Sequence, residues 1–122
     1  MGQGNHKSRG GWYELREGAQ FTLSRHLPAR FDVQAEAVFP PALRGRLARQ
    51  IRQDLWRELR GLRGFSPVIL VSTTEEGMTV TAGGQFLVPG SVPKNLSNRI
   101  QSLLDSPAHR ARWLKWAKRR AT

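Results

Sequence analysis

The 122-residue chain carries 20 Lys and Arg against nine Asp and Glu, which gives a formal net charge of +11, and it contains no cysteine. The length fits one domain with a single core, and the missing cysteines exclude disulfide frameworks, thiolate nucleophiles and cysteine-based zinc sites. So large an excess of positive charge is typical of a protein that meets a polyanion, with nucleic acid as the first candidate and an acidic protein or anionic lipid surface as the second.

The first eleven residues differ in composition from the rest of the chain. Residues 1–11 hold four glycines with Lys7 and Arg9 and no apolar side chain after Met1, so nothing there can anchor the segment to a core. We therefore expect a flexible basic N-terminal arm, followed by a single domain over residues 12–122. The arm lacks the apolar stretch of a signal peptide, and no run reaches transmembrane length, so we expect a cytoplasmic protein without a transmembrane segment.

The domain begins with patterns typical of strands. Short apolar-rich pieces occupy residues 12–15 and 21–23, and the turn residues Glu17 and Gly18 between them indicate a hairpin. Apolar and polar residues then alternate over residues 31–39, which is the period of a strand with one buried face.

The clearest element is a helix predicted over residues 41–63, introduced by the prolines Pro40 and Pro41. Gly64 closes this helix, and Pro67 prevents its continuation. Its apolar residues recur at helical spacing and form one stripe, which consists of Leu43, Leu47, Ile51, Leu55, Leu59 and Leu62.

The next part of the chain has the composition of a sheet. Residues 68–73 form a β-branched run, and residues 78–82 alternate between apolar and polar. The pair Gly83-Gly84 is typical of a tight turn before residues 85–88. These patterns predict a three-stranded antiparallel meander.

Two further helices are predicted at the C-terminal end. Residues 94–104 carry an apolar face made of Leu96, Ile100, Leu103 and Leu104. Ser106 is a candidate N-cap for a second helix over residues 107–119, with Pro107 in its first turn. The order is then strand, helix, three strands and two helices, which predicts an α+β fold with an antiparallel sheet backed by helices.

The central helix has a cationic face opposite its apolar stripe. Six arginines project from this face, namely Arg46, Arg49, Arg52, Arg57, Arg60 and Arg63. Like charges this close destabilise a helix, and guanidinium groups match the geometry of phosphate. The face is therefore predicted to bind phosphates, although a solvated face whose arginine stems shield the core would show the same pattern.

The last helix and the tail carry a second cationic stripe. Its members are Arg110, Arg112, Lys115, Lys118, Arg119 and Arg120. They surround Trp113 and Trp116, which could stack on exposed bases or lie at a membrane interface. Two tryptophans at this spacing are more often docked into a core, so the pattern favours a core position for both.

Catalytic chemistry has little support in the sequence. The three histidines are far apart in the chain and show no metal-ligand spacing, and no phosphate-cradling glycine loop occurs. We assign no catalytic residue, no metal site and no cofactor. A nuclease could still assemble one histidine, His26, with Arg25, Glu36 or Glu75 in space.

The sequence therefore favours a small, basic, non-enzymatic nucleic-acid-binding protein that contacts mainly backbone phosphates. The first alternative is an adaptor or regulator that docks on an acidic protein surface, with phage-encoded or mobile-element regulators as one setting. The second is a small ribonuclease of toxin type, a class with a comparable order of strands and helices. DNA, RNA and an acidic protein are all left open as partners, and so is the oligomeric state.

Overall fold

A computed structural model of the protein describes residues 3–7 and 10–118. The described strands and helices are β1 (Gln3–Lys7), β2 (Tyr13–Glu17), β3 (Gln20–Ser24), β4 (Val33–Phe39), α1 (Arg44–Leu59), β5 (Phe65–Thr74), β6 (Gly77–Phe86), α2 (Leu96–Asp105) and α3 (Pro107–Trp116). The strands form one sheet in the order β1-β2-β3-β5-β6-β4, and every neighbouring pair is antiparallel. The predicted α+β fold, with helices on an antiparallel sheet and two helices at the C-terminal end, is confirmed.

The core lies between one face of the sheet and the helices. Phe21, Ile69 and Val80 come from three different strands, and all three are fully buried in the same apolar cluster as residues of α1, α2 and α3. The register places Phe21 opposite Val71 and Val71 opposite Val80, so these side chains share a face of the sheet. The helices therefore cover this face.

Four of the six residues predicted for the apolar stripe are fully buried, whereas Leu43 is 37% exposed and Leu62 is only partly buried. The four buried members, from Leu47 to Leu59, are at most 2% exposed, and α1 packs on β5 and β3. The helix is shorter than predicted because Leu43 has an extended backbone, with φ −79° and ψ 115°. At the other end Gly64 has a φ of +70°, a left-handed conformation that few residues other than glycine adopt, so the chain leaves the helix before it.

The predicted turn at Gly83-Gly84 is wrong. β6 runs without interruption through both glycines, with Gly83 paired to Val68 and Gly84 to Pro67. A Cβ atom on Gly83 would collide with the carbonyl oxygen of Val33, and one on Gly84 with that of Ser66. The glycines therefore permit a close approach of backbones. In place of the predicted three-stranded meander, β5 and β6 form a two-stranded hairpin, and the predicted third strand begins within the end of β6.

The hairpin of β2 and β3 is confirmed, with Gly18 in its turn at a φ of +58°. The predicted arm over residues 1–11 includes β1, whose residues Gln3–Lys7 pair with β2. Backbone pairing needs no apolar side chain, so composition alone did not predict this strand. Residues 1, 2, 8 and 9 of the arm lie outside the described residues.

The two C-terminal helices follow the prediction closely. The four apolar residues named for α2 are all buried, and the side chain of Ser106 accepts a hydrogen bond from the backbone amide of His109 at the start of α3. Side chains from these helices also close the sheet edge at β4, because Gln101 Nε2 donates to Glu36 O at 2.8 Å and Arg110 donates to Val38 O. In the part of the chain that the structure describes, no helix is long and apolar enough to cross a membrane.

A clamp fixes the entry into β4. Asp32 accepts hydrogen bonds from Arg30 Nε at 2.9 Å and from the backbone amide of Phe86 at 2.7 Å. The hydrogen bond from Arg30, followed by that from Phe86, lowers the pKa of Asp32. The same hydrogen bond raises the pKa of Arg30. Arg30 also donates to the carbonyl of Phe86, so the clamp ties β4 to the end of β6.

Candidate nucleic-acid interface

The six arginines predicted to form one face of α1 have different surroundings. Arg46, Arg60 and Arg63 are exposed to solvent. Arg57 is also exposed and lies 3.6 Å from a carboxylate oxygen of Asp54, three residues earlier on the helix. Arg49 and Arg52 are partly buried and turn towards β2. The face is therefore split between a solvent side and a side that meets the sheet.

Arg49 makes the best-defined ion pair on the β2 side of the helix. Its guanidinium donates from Nε at 3.0 Å and from Nη2 at 2.8 Å to the carboxylate of Glu14. Glu14 lies on β2 and is only 7% exposed. Sequence reasoning missed this partner because the two residues are 35 positions apart.

Arg52 lies one turn further along α1, against an aromatic ring. Its guanidinium carbon is 4.7 Å from the ring centroid of Trp12, and that of Arg25 is 5.6 Å from the same ring. Burial, followed by the positive charges of Arg49 and Arg25, lowers the pKa of Arg52. Arg49 and Arg25 are thus both close enough to repel the guanidinium group of Arg52.

A pocket of about 330 Å³ lies at the N-terminal end of α1. Four arginines line it, namely Arg16, Arg44, Arg46 and Arg49. Guanidinium nitrogens of Arg16 and Arg49 both come within 3.5 Å of the position that a Cβ atom on Gly45 would occupy. The first turn of α1 has no acidic residue, so its backbone amides add to the positive potential.

We call the surface between α1 and β2 the arginine groove, and it consists of Arg16, Arg25, Arg44, Arg46, Arg49 and Arg52. β2 contributes two carboxylates, Glu14 and Glu17, so positive charge stays in excess along the groove. Arg16 and Arg25 were not predicted for this surface, because they belong to β2 and to the segment after β3. A helical wheel of α1 contains no information on what lies beside the helix.

The cations of α3 are placed differently. Arg110 donates to the carbonyls of Val38 at 2.7 Å and Leu104 at 3.2 Å, and its guanidinium lies 3.9 Å from the ring centroid of Phe39. Arg112 forms a short ion pair with the buried carboxylate of Asp54. Both side chains therefore hold α3 against its neighbours. They do not lie in the arginine groove as it is defined above.

The remaining predicted cations lie at the end of α3 and after it. Lys115 and Lys118 are exposed, and Arg119 and Arg120 lie outside the described residues. The backbone amide of Leu43 donates to the carbonyl of Ala117 at 2.8 Å. Ala117 therefore lies beside the start of α1, and the next residue, Lys118, adds its charge near the four-arginine pocket.

The two tryptophans of α3 have different environments. Trp113 is completely buried, and its indole Nε1 donates to Asp54 at 2.6 Å. Trp116 is 58% exposed, so its predicted core position is wrong. A third tryptophan, Trp56 on α1, is 46% exposed, and sequence reasoning did not single it out.

Of the residues considered for a nuclease, the structure brings Arg25 and His26 to the same cavity but places Glu36 and Glu75 elsewhere. His26 follows β3 at one end of the sheet, whereas Glu75 lies in the β5–β6 turn at the other end. Glu36 lies on β4, where it accepts a hydrogen bond from Thr81 Oγ1 at 3.4 Å. Among residues 3–7 and 10–118, no group of three or more His, Asp and Glu could hold a metal ion.

No protein-family model, curated protein or solved structure matches the chain.

Proposed function

We propose that the protein binds nucleic acid without catalysing a reaction on it, through contacts between the arginine groove and backbone phosphates. The observation that carries this proposal is the convergence of six guanidinium groups on one groove. Bringing like charges together destabilises the free protein. A bound polyanion removes that cost, because each phosphate offers oxygens that guanidinium groups bind in pairs.

The shape of the groove supports an extended ligand. Arg49 lines the pocket at the start of α1 and also lies close enough to Arg52 to lower its pKa. Arg52 in turn shares the Trp12 ring with Arg25. A backbone with regularly spaced phosphates can follow this line of cations, whereas a single small anion would use only one part of it.

The first experiment is a binding titration by fluorescence anisotropy over a range of salt concentrations. If about five phosphates are contacted, the logarithm of the affinity should fall against the logarithm of salt concentration with a slope of about −4 to −5 on duplex DNA. Duplex DNA, single-stranded DNA and structured RNA are the ligands, with heparin as a charge control. Failure to bind all three nucleic acids would overturn the proposal and favour an acidic protein partner, and cleavage of the RNA would favour the ribonuclease.

A charge-reversal pair locates the site. Arg16→Glu with Arg46→Glu changes two exposed cations of the groove, so binding should fall at least tenfold while the fold stays intact. Lys94→Glu with Lys115→Glu makes the same change in net charge at exposed residues that do not belong to the groove, and it should weaken binding much less. Equal losses in the two variants would show that net charge, and not the groove, is responsible.

A further inference from the structure

Two adjoining cavities lie at the end of the arginine groove that Arg25 marks. The larger, about 450 Å³, is lined by residues that include Arg25, His26, Trp56 and Ser66. The smaller, about 200 Å³, shares His26 and Ser66 with it and extends to Gln85. We call the two together the Trp56 hollow. The volume of the larger cavity falls within the range of about 300 to 1,000 Å³ that is typical of small-molecule sites.

The hollow contains polar atoms that no described residue satisfies. Ser66 Oγ and Gln85 Oε1 are both buried, and neither has a hydrogen-bond partner in the structure. The two residues are directly opposite each other on β5 and β6. Buried polar groups are nearly always hydrogen-bonded, because leaving one unpaired costs about 1 to 3 kcal/mol. A hydroxyl and an amide together offer both donors and acceptors to a ligand.

The hollow also contains an accessible aromatic ring. Trp56 is 46% exposed although it is large and apolar. His26 also lines the larger cavity, and its backbone is held by Ser24, whose Oγ donates to His26 O at 2.8 Å and accepts from His26 N at 3.3 Å. A flat ligand can stack on the indole in the cavity that Ser66 also lines. Ser66 and Gln85 project from the sheet face opposite to the one that α1 covers, and both line the smaller cavity.

From these observations we infer that the Trp56 hollow receives one unpaired nucleobase of a single-stranded nucleic acid whose phosphates lie in the arginine groove. The inference rests on the proposed function and narrows it to a class of substrate. Arg25 connects the two sites, because it lines the hollow and also lies over the Trp12 ring with Arg52. A base in a duplex is stacked and paired, so only an unpaired base can enter.

The test combines protein variants with ligand variants. Trp56→Ala should weaken binding of single-stranded DNA and RNA by about fivefold or more, the lower end of the effect of losing one stacked base. Duplex DNA of the same sequence should bind within about twofold of the original affinity, because its phosphates use only the groove. Trp116→Ala is the matched control, since that exposed tryptophan lies on α3 and outside the hollow, and it should leave both affinities unchanged.

A second ligand pair separates base recognition from charge. An abasic strand keeps the phosphates and lacks the bases, so Trp56→Ala should not change its affinity. Ser66→Ala, which removes the unsatisfied hydroxyl, should weaken only the strand that has bases. Trp56→Phe keeps an aromatic face and should restore most of the affinity, and its thermal midpoint shows whether the loss in Trp56→Ala comes from unfolding. The fluorescence change on binding should be reduced in Trp56→Phe if the indole contacts the base.

The possible failures are distinguishable. If Trp56→Ala leaves single-strand affinity unchanged, or weakens single strands, duplexes and abasic strands equally, the hollow is not a base site, while loss of binding in Arg16→Glu with Arg46→Glu would still support the groove. If the unaltered protein binds none of the polymers, the proposed function and this inference are both wrong. Equal affinities for DNA and RNA strands of the same sequence would support recognition of the base without a contact to the sugar.

Discussion

The helices α1 and α3 both carry rows of cations, but these rows have different roles in the structure. On α3 the first two arginines donate to backbone carbonyls or to a buried carboxylate. On the β2 side of α1, Arg44 and Arg49 also have acceptors, in Gly18 O and the carboxylate of Glu14, but they share one pocket with further arginines. Arg52 lies over the Trp12 ring together with Arg25. The comparison teaches that counting cations on a helical face does not identify a binding surface. What matters is whether neighbouring elements supply enough acceptors to occupy them.

The largest effect that this comparison predicts is on stability. Trp113 is fully buried and donates to Asp54, so Trp113→Ala should lower the free energy of unfolding by about 3 to 5 kcal/mol. Trp116→Ala, on the same helix, should change it by less than about 0.5 kcal/mol. Chemical denaturation measures both values. Similar losses in the two variants would mean that α3 is not anchored through Trp113.

The second prediction compares one arginine from each helix. Arg110→Ala removes two hydrogen bonds to carbonyls and should lower the free energy of unfolding by about 1.5 to 3 kcal/mol, with little change in nucleic-acid affinity. Arg46→Ala should leave the free energy of unfolding nearly unchanged, weaken nucleic-acid binding and reduce its salt slope by about 1. Thermal melts and salt titrations of the two variants provide the test. If Arg110→Ala is fully folded but binds nucleic acid more weakly, α3 belongs to the nucleic-acid interface.

The third prediction concerns the carboxylate that competes with phosphate for Arg49. Glu14→Gln removes its charge and keeps a side chain able to hydrogen-bond, so stability should fall by about 1 kcal/mol. Nucleic acid should bind more tightly, because the groove gains one unit of positive charge. Glu75→Gln, an exposed residue in the β5–β6 turn, is the control with the same change in charge. An equal increase in nucleic-acid affinity in both variants would show that the change in net charge, and not the position of Glu14, is responsible.

The smallest expected effect concerns the ion pair of Arg30 and Asp32, which belongs to neither row of cations. Arg30 is paired with Asp32, whose pKa is lower in the folded protein than its unfolded value of about 3.9. Ionised Asp32 therefore stabilises the fold above that value, and this contribution is lost as the pH falls through the lowered pKa. Asp32→Asn should melt at a lower temperature than the unaltered protein at pH 7, and the difference should shrink below about pH 4. A constant difference across this range would contradict the assignment.

Much of the fold could be predicted because its signals are local. The stripe from Leu47 to Leu59 and the Ser106 cap depend on residues within a few positions of one another. The failure at Gly83-Gly84 has a different cause. Two glycines look the same in a sequence whether they turn the chain or allow another strand to approach, and only the neighbouring carbonyls of Val33 and Ser66 distinguish the two cases.

The candidate site could be predicted only in part for a related reason. Arg46, Arg49 and Arg52 stand out because they recur along one helix. Glu14 and Trp12 come from the other side of the groove, and their contacts with α1 depend on how β2 pairs with β3 and how the helix packs on the sheet. Such contacts are set by tertiary structure, and no periodicity within a single element predicts them.

The glycine pair in β6 also limits how this part of the protein can vary. Every missense change in a glycine codon introduces a side chain, and any side chain at Gly83 or Gly84 would bring its first carbon against a backbone carbonyl of a neighbouring strand. These carbonyls belong to paired strands and cannot move aside as a flexible side chain would. We therefore expect a saturation library selected for folded protein to be almost empty at both codons, while adjacent positions such as Gln85 accept many amino acids.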